Sequence, residues 1–217
     1  PLPNAVVTGN PVRPEMLTVD RHRDRSAARA KLSVPDDRTL IVVTGGSLGA
    51  LHINRATLDA AHLWQDRTDI TIHHVIGNRD WDELRSERDI AVDEVIDYRP
   101  VRYEHDMPTV FAAADIVVSR AGATTTAELA VVGVPSILVP LPGAPGDHQT
   151  ANAQSLVDAG GALLVPDAEL DGARLIRELD PLVGRAERLD SMAAAAATVG
   201  RRDAADHVAR LMEEHAA

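Results

Sequence analysis

The sequence contains no cysteine, which excludes disulfides, thiolate metal sites and cysteine nucleophiles and is typical of a reducing compartment. Aromatic residues make up only 2% of its 217 residues, so a core must be built from Val, Leu, Ile and Ala. Lysine occurs once, at Lys31. No apolar run approaches the roughly 18 residues that a membrane-spanning helix needs, and we expect no signal peptide at its start.

The charge balance is acidic, with a formal net charge of -11, and many basic residues are interleaved with acids, as in 20–25. A protein whose main partner is nucleic acid usually presents a basic face, so no nucleic-acid partner is expected. An anionic ligand is still compatible with this balance, because helix N-termini and backbone amides bind phosphate locally. The hydrophobic fraction of 45% allows a sizeable core.

Apolar segments alternate with helical segments from residue 39 onward. Most of the apolar segments are rich in Val and Ile with little alternation, as in strands that are buried on both faces of a parallel sheet. We predict strands at 39–44, 70–75, 91–96, 116–119, 136–139 and 162–165. We predict helices between them at 52–64, 81–88, 107–114, 125–132 and 149–159.

Repeated strand–helix units predict an α/β fold, a Rossmann-like doubly wound parallel sheet of about six strands with helices on both faces. Its ligands are expected beyond the carboxyl ends of the strands. The alanine run 193–197 is expected to pack closely on a neighbour. One domain is expected over residues 1–217, with a linker-like start at 1–15. The flanking segments predict a strand at 5–8 and helices at 21–32, 172–179, 185–199 and 204–214.

A glycine-rich turn, G-G-S-L-G-A at residues 45–50, follows the first predicted strand and precedes a helix. Its glycines, Gly46 among them, let the backbone turn sharply and approach a ligand, and free amides at the helix start can bind a phosphate. A plain turn with Ser47 as the helix N-cap is an equally good interpretation. The dinucleotide fingerprint is broken, because Ser47 stands where G-x-G-x-x-G requires its second glycine.

The run R-A-G-A-T-T-T-A-E at 120–128 predicts a second helix start. The backbone amides of Ala123, Thr124 and Thr125 would lie where the helix dipole favours an anion. Glu128 follows one turn later on the face of Thr124 and Thr125, and its carboxylate can accept hydrogen bonds from two ribose hydroxyls. The alternative is a capping box, with Thr125 and Glu128 closing the helix start.

A third motif, G-D-H-Q-T-A-N at 146–152, opens another helix. The amide of Gln149 both donates and accepts hydrogen bonds, which suits sugar hydroxyls, and His148 can contact the same ligand. The alternatives are a helix capped by Asp147 and a surface position for His148.

Near the start of the chain, N-P-V-R-P-E at 10–15 places Arg13 between two prolines that fix a bend. Arg13 can reach a phosphate as a charged donor, although a solvated linker arginine is the simpler interpretation. His73 and His74 are predicted to lie on a solvated face. No spacing predicts a metal site, and no Ser/His/Asp set emerges.

In order along the chain, the motifs are G-N-P-V-R, G-G-S-x-G-A, A-D-I-V-V-S-R-A-G-A-T-T-T-A-E-L, G-V-P-S-I-L-V-P-L-P and D-H-Q-T-A-N-A. Together they resemble the MurG family, the UDP-N-acetylglucosamine:lipid I N-acetylglucosaminyltransferases of glycosyltransferase family 28, which act in bacterial cell-wall synthesis. The resemblance covers nearly the whole chain but only the carboxyl-terminal half of those enzymes. It implies a GT-B fold, two Rossmann-like domains facing a cleft, with this chain as the nucleotide-sugar domain.

The resemblance also implies roles for particular residues. Arg13 and the glycine turn at Gly46 and Ser47 would approach the diphosphate, and Glu128 would hold the ribose. Leu48 departs from the family, which commonly has glutamine there. Tyr103 and Glu104 would lie at the uracil site, in the loop 103–107, where Glu104 and His105 replace a more apolar pattern. The remaining implied contacts are the amides of Ala123, Thr124 and Thr125 to the diphosphate and His148 and Gln149 to the sugar.

The amino-terminal half, which carries the acceptor site, the membrane-facing patch and the general base in this family, is absent. The chain, which starts with Pro-Leu-Pro, is therefore expected to be a fragment of a longer protein and inactive alone. UDP-GlcNAc is the expected donor, with no cofactor or protein-bound metal, because no DxD-type pair lies near the motifs. The full-length protein is expected at the cytoplasmic face of the bacterial plasma membrane, contacting it peripherally through the missing half.

The leading hypothesis is half of an inverting glycosyltransferase acting in peptidoglycan synthesis. A non-catalytic half of a split transferase and a natural-product transferase with another acceptor remain open alternatives. A UDP-sugar 2-epimerase is disfavoured, because the run R-A-G at 120–122 does not resemble the acid-led turn that such an enzyme is expected to have. The broken dinucleotide fingerprint makes an NAD dehydrogenase the weakest alternative.

Overall fold

The computed structural model describes residues 5–46, 50–84 and 95–216. Ser47 and Leu48, and most of the predicted strand at 91–96, lie outside the described residues. Within those ranges, no helix is both long and apolar enough to cross a membrane.

Six parallel strands form one sheet in the order β3-β2-β1-β4-β5-β6. The first strand of the sheet lies near its middle, and the chain then builds outward to one edge and afterwards to the other. This is the strand order of a doubly wound Rossmann-like sheet, as predicted. The strands are β1 Thr39–Thr44, β2 Ile70–Val75, β3 Asp97–Val101, β4 Ile116–Ser119, β5 Ser136–Leu138 and β6 Ala162–Leu164.

Helices flank the strands and occupy most of the rest of the described chain. The predicted helices match these elements to within two residues at each end, except the one at 81–88, of which 85–88 lie outside the described part. Those that precede β4 are α1 Pro14–Leu17, α2 Arg21–Lys31, α3 Leu51–Leu63, α4 Asp80–Glu83 and α5 Met107–Ala113. Those that follow β4 are α6 Ala123–Val132, α7 His148–Ala159, α8 Gly172–Leu179, α9 Ala186–Val199 and α10 Ala204–His215.

Alternate residues of the strands point into two separate cores, one on each face of the sheet. Ile41 and Val43 of β1 pack with side chains of α3 and α8, such as Ile53 and Leu175. Leu40 and Val42 of the same strand pack instead with side chains of α2, α5, α6 and α7. Both faces are therefore covered, which is why β1 is buried along its whole length.

The third strand lies later than predicted, at Asp97–Val101 rather than 91–96. The backbone amides of Val95 and Ile96 donate to the carbonyl of Gln65, so these residues bond to the turn after α3 and not to the sheet. The strand itself is a half-buried edge strand that contains Pro100, a residue that is confined in sheets to edge positions and bulges. Its sequence therefore lacks the continuous Val and Ile run of a central strand.

The predicted strand at 5–8 is wrong, because these residues have no regular secondary structure. The sheet ends at β3 and β6, neither of which pairs with this segment. Val6 and Val7 are exposed instead of being buried in a sheet.

His73 and His74 were predicted on a solvated face, and this is wrong, because both are buried in β2. The Nε2–H of His74 donates to Oδ1 of Asn54 at 3.0 Å, and its Nδ1 accepts from the Tyr98 hydroxyl at 2.8 Å. Burial, with a further contribution from His73, lowers the pKa of His74 to about 3. The ring is therefore neutral and connects α3, β2 and β3 through hydrogen bonds.

Candidate functional site

Three helices begin at the carboxyl edge of the sheet, directly after β1, β4 and β5. They are α3, α6 and α7, and in the described part of the chain no side chain caps the start of any of them. The strands β1 and β4 are neighbours. The chain continues from β1 to β2 on one side of this pair and from β4 to β5 on the other, so a crevice lies between the carboxyl ends of β1 and β4. This crevice is where ligands of doubly wound sheets bind.

The glycine turn leads from β1 into α3. Gly46 has a φ of +85°, a left-handed conformation that favours glycine, and there is open space where its Cβ would be. Its backbone N–H donates to the hydroxyl of Thr44 at 3.2 Å. The residue at the N-cap position of α3 is Ala50. Ser47, the alternative cap, lies outside the described residues.

The second helix start does not have the capping box that sequence reasoning offered as an alternative. Gly122 occupies the N-cap position of α6, and Thr125 is the third residue inside the helix. Ala123 and Thr124 are exposed. The amides of the first turn therefore remain available to an anion, as the functional hypothesis requires.

Arg13 and Glu128 lie together. Nε of Arg13 donates to Oε1 of Glu128 at 2.8 Å, and the two side chains are 48% and 7% exposed. Arg13 immediately precedes α1, whose residues pack on α6. The structure thus joins two predicted site residues that are 115 positions apart in the sequence.

The third helix start, at α7, presents His148 and Gln149 as its first two residues. The exposed His148 ring contacts the carbonyl of Pro145 through Nδ1 at 2.9 Å, which requires a proton on Nδ1. Oε1 of Gln149 accepts from the backbone N–H of Leu141 at 3.0 Å. Asp147 does not cap the helix amides but accepts from the Thr150 hydroxyl at 2.8 Å.

The loop after β3 carries the two residues implied for the uracil site. Tyr103 is 44% exposed and contacts His105 edge to face, with 4.8 Å between ring centroids. Both carboxylate oxygens of Glu104 are engaged inside the protein, by Nε2 of His73 at 3.2 Å and by the backbone N–H of Asp106 at 2.8 Å. Glu104 therefore orders this loop, whereas Tyr103 is open to solvent.

Sequence reasoning missed a charged cluster at the same edge, which we call the edge triad: Arg120, Asp167 and His52. Nη1 of Arg120 donates to Oδ1 of Asp167 at 2.5 Å and to the carbonyls of Val139 and Pro140. Nδ1 of His52 lies 2.9 Å from Oδ2 of Asp167. These residues follow three different strands and share no sequence motif, so only the fold brings them together.

A cavity of about 560 Å³ lies between α6, α7 and the turn after α9. Ala123 and Asn10 line it, but Arg13, Glu128, His148 and Gln149 do not. We therefore place the candidate site at the open crevice. In the described ranges, no group of three or more His, Asp or Glu side chains is placed to hold a metal ion.

Residues 40–208 match the family described as "Glycosyltransferase family 28 C-terminal domain". The chain belongs to glycosyltransferase family 28. Over all of its length it is 41% identical to a UDP-N-acetylglucosamine–N-acetylmuramyl-(pentapeptide) pyrophosphoryl-undecaprenol N-acetylglucosamine transferase of Acidothermus cellulolyticus. It is 39% identical, over 99% of its length, to the transferase of the same name from a Nocardioides species.

A solved structure of Acinetobacter baumannii MurG resembles this family 28 domain with a TM-score of 0.76 and 28% identity, over 92% of the chain. The chain spans 58% and 57% of the two relatives and 55% of that structure. Family membership confirms the resemblance found in the sequence. The two relatives are named as transferases, and neither as an epimerase or a dehydrogenase.

Proposed function

We propose that this chain is the nucleotide-sugar-binding domain of an inverting glycosyltransferase, with residues 1–217 forming that domain. The whole enzyme would move N-acetylglucosamine from UDP-GlcNAc to a lipid-linked muramyl-pentapeptide acceptor in peptidoglycan synthesis. The observation that carries the proposal is the Arg13–Glu128 pair on α6, the helix whose uncapped start lies at the crevice between β1 and β4. The names of the two curated relatives support the choice of donor and acceptor.

The donor's diphosphate would be bound by backbone amides at the starts of α3 and α6, with Gly46 giving the chain room to approach it. Arg13 would add a positive charge, and Glu128 would accept hydrogen bonds from the ribose hydroxyls. Tyr103, which is exposed in the loop after β3, would border the base. Ser47, which lies outside the described residues, would complete the phosphate site. His148 and Gln149, at the start of α7, would contact the sugar.

In the reaction, an acceptor hydroxyl would attack the anomeric carbon of GlcNAc while the bond to the diphosphate oxygen breaks. Negative charge grows on the departing UDP, and this domain would stabilise it with preorganised amides and Arg13. A base outside this chain would take the hydroxyl proton. The domain's own contribution to the rate is therefore electrostatic and needs neither a cofactor nor a protein-bound metal.

The acceptor and the membrane would be contacted by the part of the enzyme that this chain does not include. The full-length protein would work at the cytoplasmic face of the plasma membrane, held there peripherally. Cell fractionation checks this: full-length protein should sediment with membranes and be released by high salt or detergent, and an entirely soluble distribution would contradict the proposed location.

Donor specificity is tested by titration calorimetry of this chain with UDP, UDP-GlcNAc and the GDP- and TDP-sugars. We expect heat from UDP and UDP-GlcNAc and much weaker binding of the other two, because the base would be recognised by the loop at Tyr103. A folded sample that gives no heat with UDP or UDP-GlcNAc contradicts the proposal.

A further inference from the structure

The edge triad has one group without an assigned role, the outer nitrogen of His52. Burial is the largest influence on Asp167 and raises its pKa, but hydrogen bonds and electrostatic attraction from His52 and Arg120 together outweigh it, so the pKa lies below its ordinary value. An ionised carboxylate only accepts hydrogen bonds. Nδ1 of His52 must therefore carry a proton and donate to Asp167.

This bond fixes the direction of the imidazole ring. With Nδ1 turned toward Asp167, Nε2 lies on the other side of the ring, and it has no hydrogen-bond partner within 5–46, 50–84 and 95–216. The His52 side chain is 45% exposed, while those of Asp167 and Arg120 are 14% and 13% exposed. A solvent-facing ring is thus held by two residues that are mostly buried.

The position of His52 connects this ring to the crevice. It is the second residue of α3, in the first turn of the helix that follows the glycine turn. Arg120, the first residue after β4, reaches across the end of β5 to Asp167 beyond β6. The triad therefore extends along the carboxyl edge from the start of α3 past β4 and β5.

We propose that His52 contacts the diphosphate of the bound nucleotide through Nε2, and that Asp167 is the positioning residue that orients the ring. This inference rests on the proposed donor-binding function. An imidazolium donates from both nitrogens, so the ring can bond Asp167 and a phosphate oxygen at once. Half-exposed ion pairs contribute little to the free energy of folding, so stability alone does not explain why the His52 ring is held in this orientation.

The experiment is titration calorimetry of the chain with UDP, together with competition by uridine, which has the same base and ribose but no phosphate. His52→Ala should weaken UDP binding by about tenfold, the size of one charge-assisted hydrogen bond, and leave uridine binding unchanged. His52→Gln should recover most of the UDP affinity, because its side-chain amide can donate in place of Nε2. Thermal unfolding of each variant checks that it folds.

A double-mutant cycle tests the role of Asp167. Asp167→Ala should weaken UDP binding in the wild-type background but have no further effect when His52 is already Ala. Should Asp167→Ala fail to fold, the comparison of His52→Ala with His52→Gln carries the test alone.

Three results would overturn the inference: an unchanged UDP affinity in His52→Ala, an equal loss for UDP and uridine, or no recovery in His52→Gln. If Glu128→Ala weakens UDP binding while His52→Ala does not, the donor site stands and only this inference fails. If the wild-type chain does not bind UDP at all, the proposed function fails and this inference with it.

Discussion

Glu128 is a buried carboxylate that forms an ion pair with Arg13. Its residue type and its place on the first turns of a helix could be predicted from the sequence. Its pairing could not, because Arg13 is 115 residues away and nothing local connects the two. Tyr103 and Glu104 show the same limit, since they are adjacent in sequence but one side chain faces solvent while the other bonds to His73.

Replacing Glu128 by Ala should weaken UDP binding by ~1–3 kcal/mol, the range for one or two hydrogen bonds to a charged group. The physical reason is the loss of the ribose acceptor on the second turn of α6. Titration calorimetry measures the change.

The matched control is Glu213→Ala, which removes an exposed carboxylate from α10, far along the chain from the crevice. It should leave UDP binding unaltered. Equal affinities for wild type and Glu128→Ala would mean that Glu128 serves the fold and not the ligand.

His74 makes the stability of the fold depend on pH. Its folded-state pKa of about 3 lies below the ordinary 6.5, so below pH 6.5 the unfolded chain takes up a proton that the folded chain refuses. The contribution of His74 to the free energy of unfolding should therefore be fully present above pH 6.5. It should decrease as the pH drops toward 3, by at most about 1.4 kcal/mol per pH unit.

Urea unfolding across that pH range, compared between wild type and His74→Gln, isolates the effect. The variant should be less stable near neutral pH, because Asn54 and Tyr98 lose well-placed partners, and should lose less stability on acidification. The exposed His22→Gln serves as the control and should keep the wild-type slope. Parallel slopes for wild type and His74→Gln would show that another group controls the acid response.

At the scale of elements, α2 is attached to the segments that lead into β4 and β5 by arginines spaced four residues apart, which places them on one face of the helix. Arg21 donates to the carbonyls of Gly133 and Ala114, both at 2.6 Å. Arg25 and Arg29 both bond to Asp115, at 2.6 and 3.1 Å. Asp115 also accepts from the backbone N–H at the start of β1, Leu40, at 2.7 Å, so one carboxylate connects a helix with a strand.

Asp115→Ala should lower the free energy of unfolding by about 3–5 kcal/mol, because Arg29, whose side chain is 2% exposed, would keep its charge without this partner. Urea unfolding measures the loss. Asp36 lies 3.5 Å from the same arginine but is 87% exposed, so Asp36→Ala should change stability little. Similar losses in the two variants would contradict a special role for Asp115.

The alanine run of α9 packs closely on its neighbours, as predicted. A Cβ added to Gly161 would lie only 2.6 Å from the backbone of Ala196, and Ala196 itself is fully buried. Small side chains therefore set the distance between α9 and the segment that enters β6.

Ala196→Leu should lower the free energy of unfolding by roughly 1–3 kcal/mol, because the core cannot accept the added volume without shifting backbone. Ala194→Leu makes the same change two residues earlier on the exposed side of the helix and should be tolerated. Thermal or urea unfolding compares them. Equal tolerance at both positions would show that α9 can move away from β6.

Elements buried on both faces could be predicted well from the sequence, because a short, continuous Val and Ile run is typical of a central strand in a parallel sheet. The five strands β1, β2, β4, β5 and β6 begin where they were predicted. The edge strand β3 was missed because a half-buried strand with a proline has no such run. Residues 5–8 have the composition of a strand but pair with no strand of the sheet. The sequence of one segment does not show whether a partner strand will lie beside it.

At the scale of the whole molecule, the candidate site is assembled from segments that the sheet order brings to one edge. Motif order was enough to predict that α3, α6 and α7 would begin there, since parallel strands end on the same side. The edge triad was not predictable in this way. Its members are single residues at the ends of different strands, and their meeting depends on how far Arg120 reaches across β5.

The three open helix starts also polarise the molecule electrically. Each adds partial positive charge to the carboxyl rim of a protein whose formal net charge is -11. A dianionic solute diffusing toward this protein is repelled by its net charge and attracted locally at that rim. The ligand should therefore be oriented before contact, with its phosphates toward the rim and its uncharged base behind them. Added salt should slow association only weakly, because attraction and repulsion are screened together.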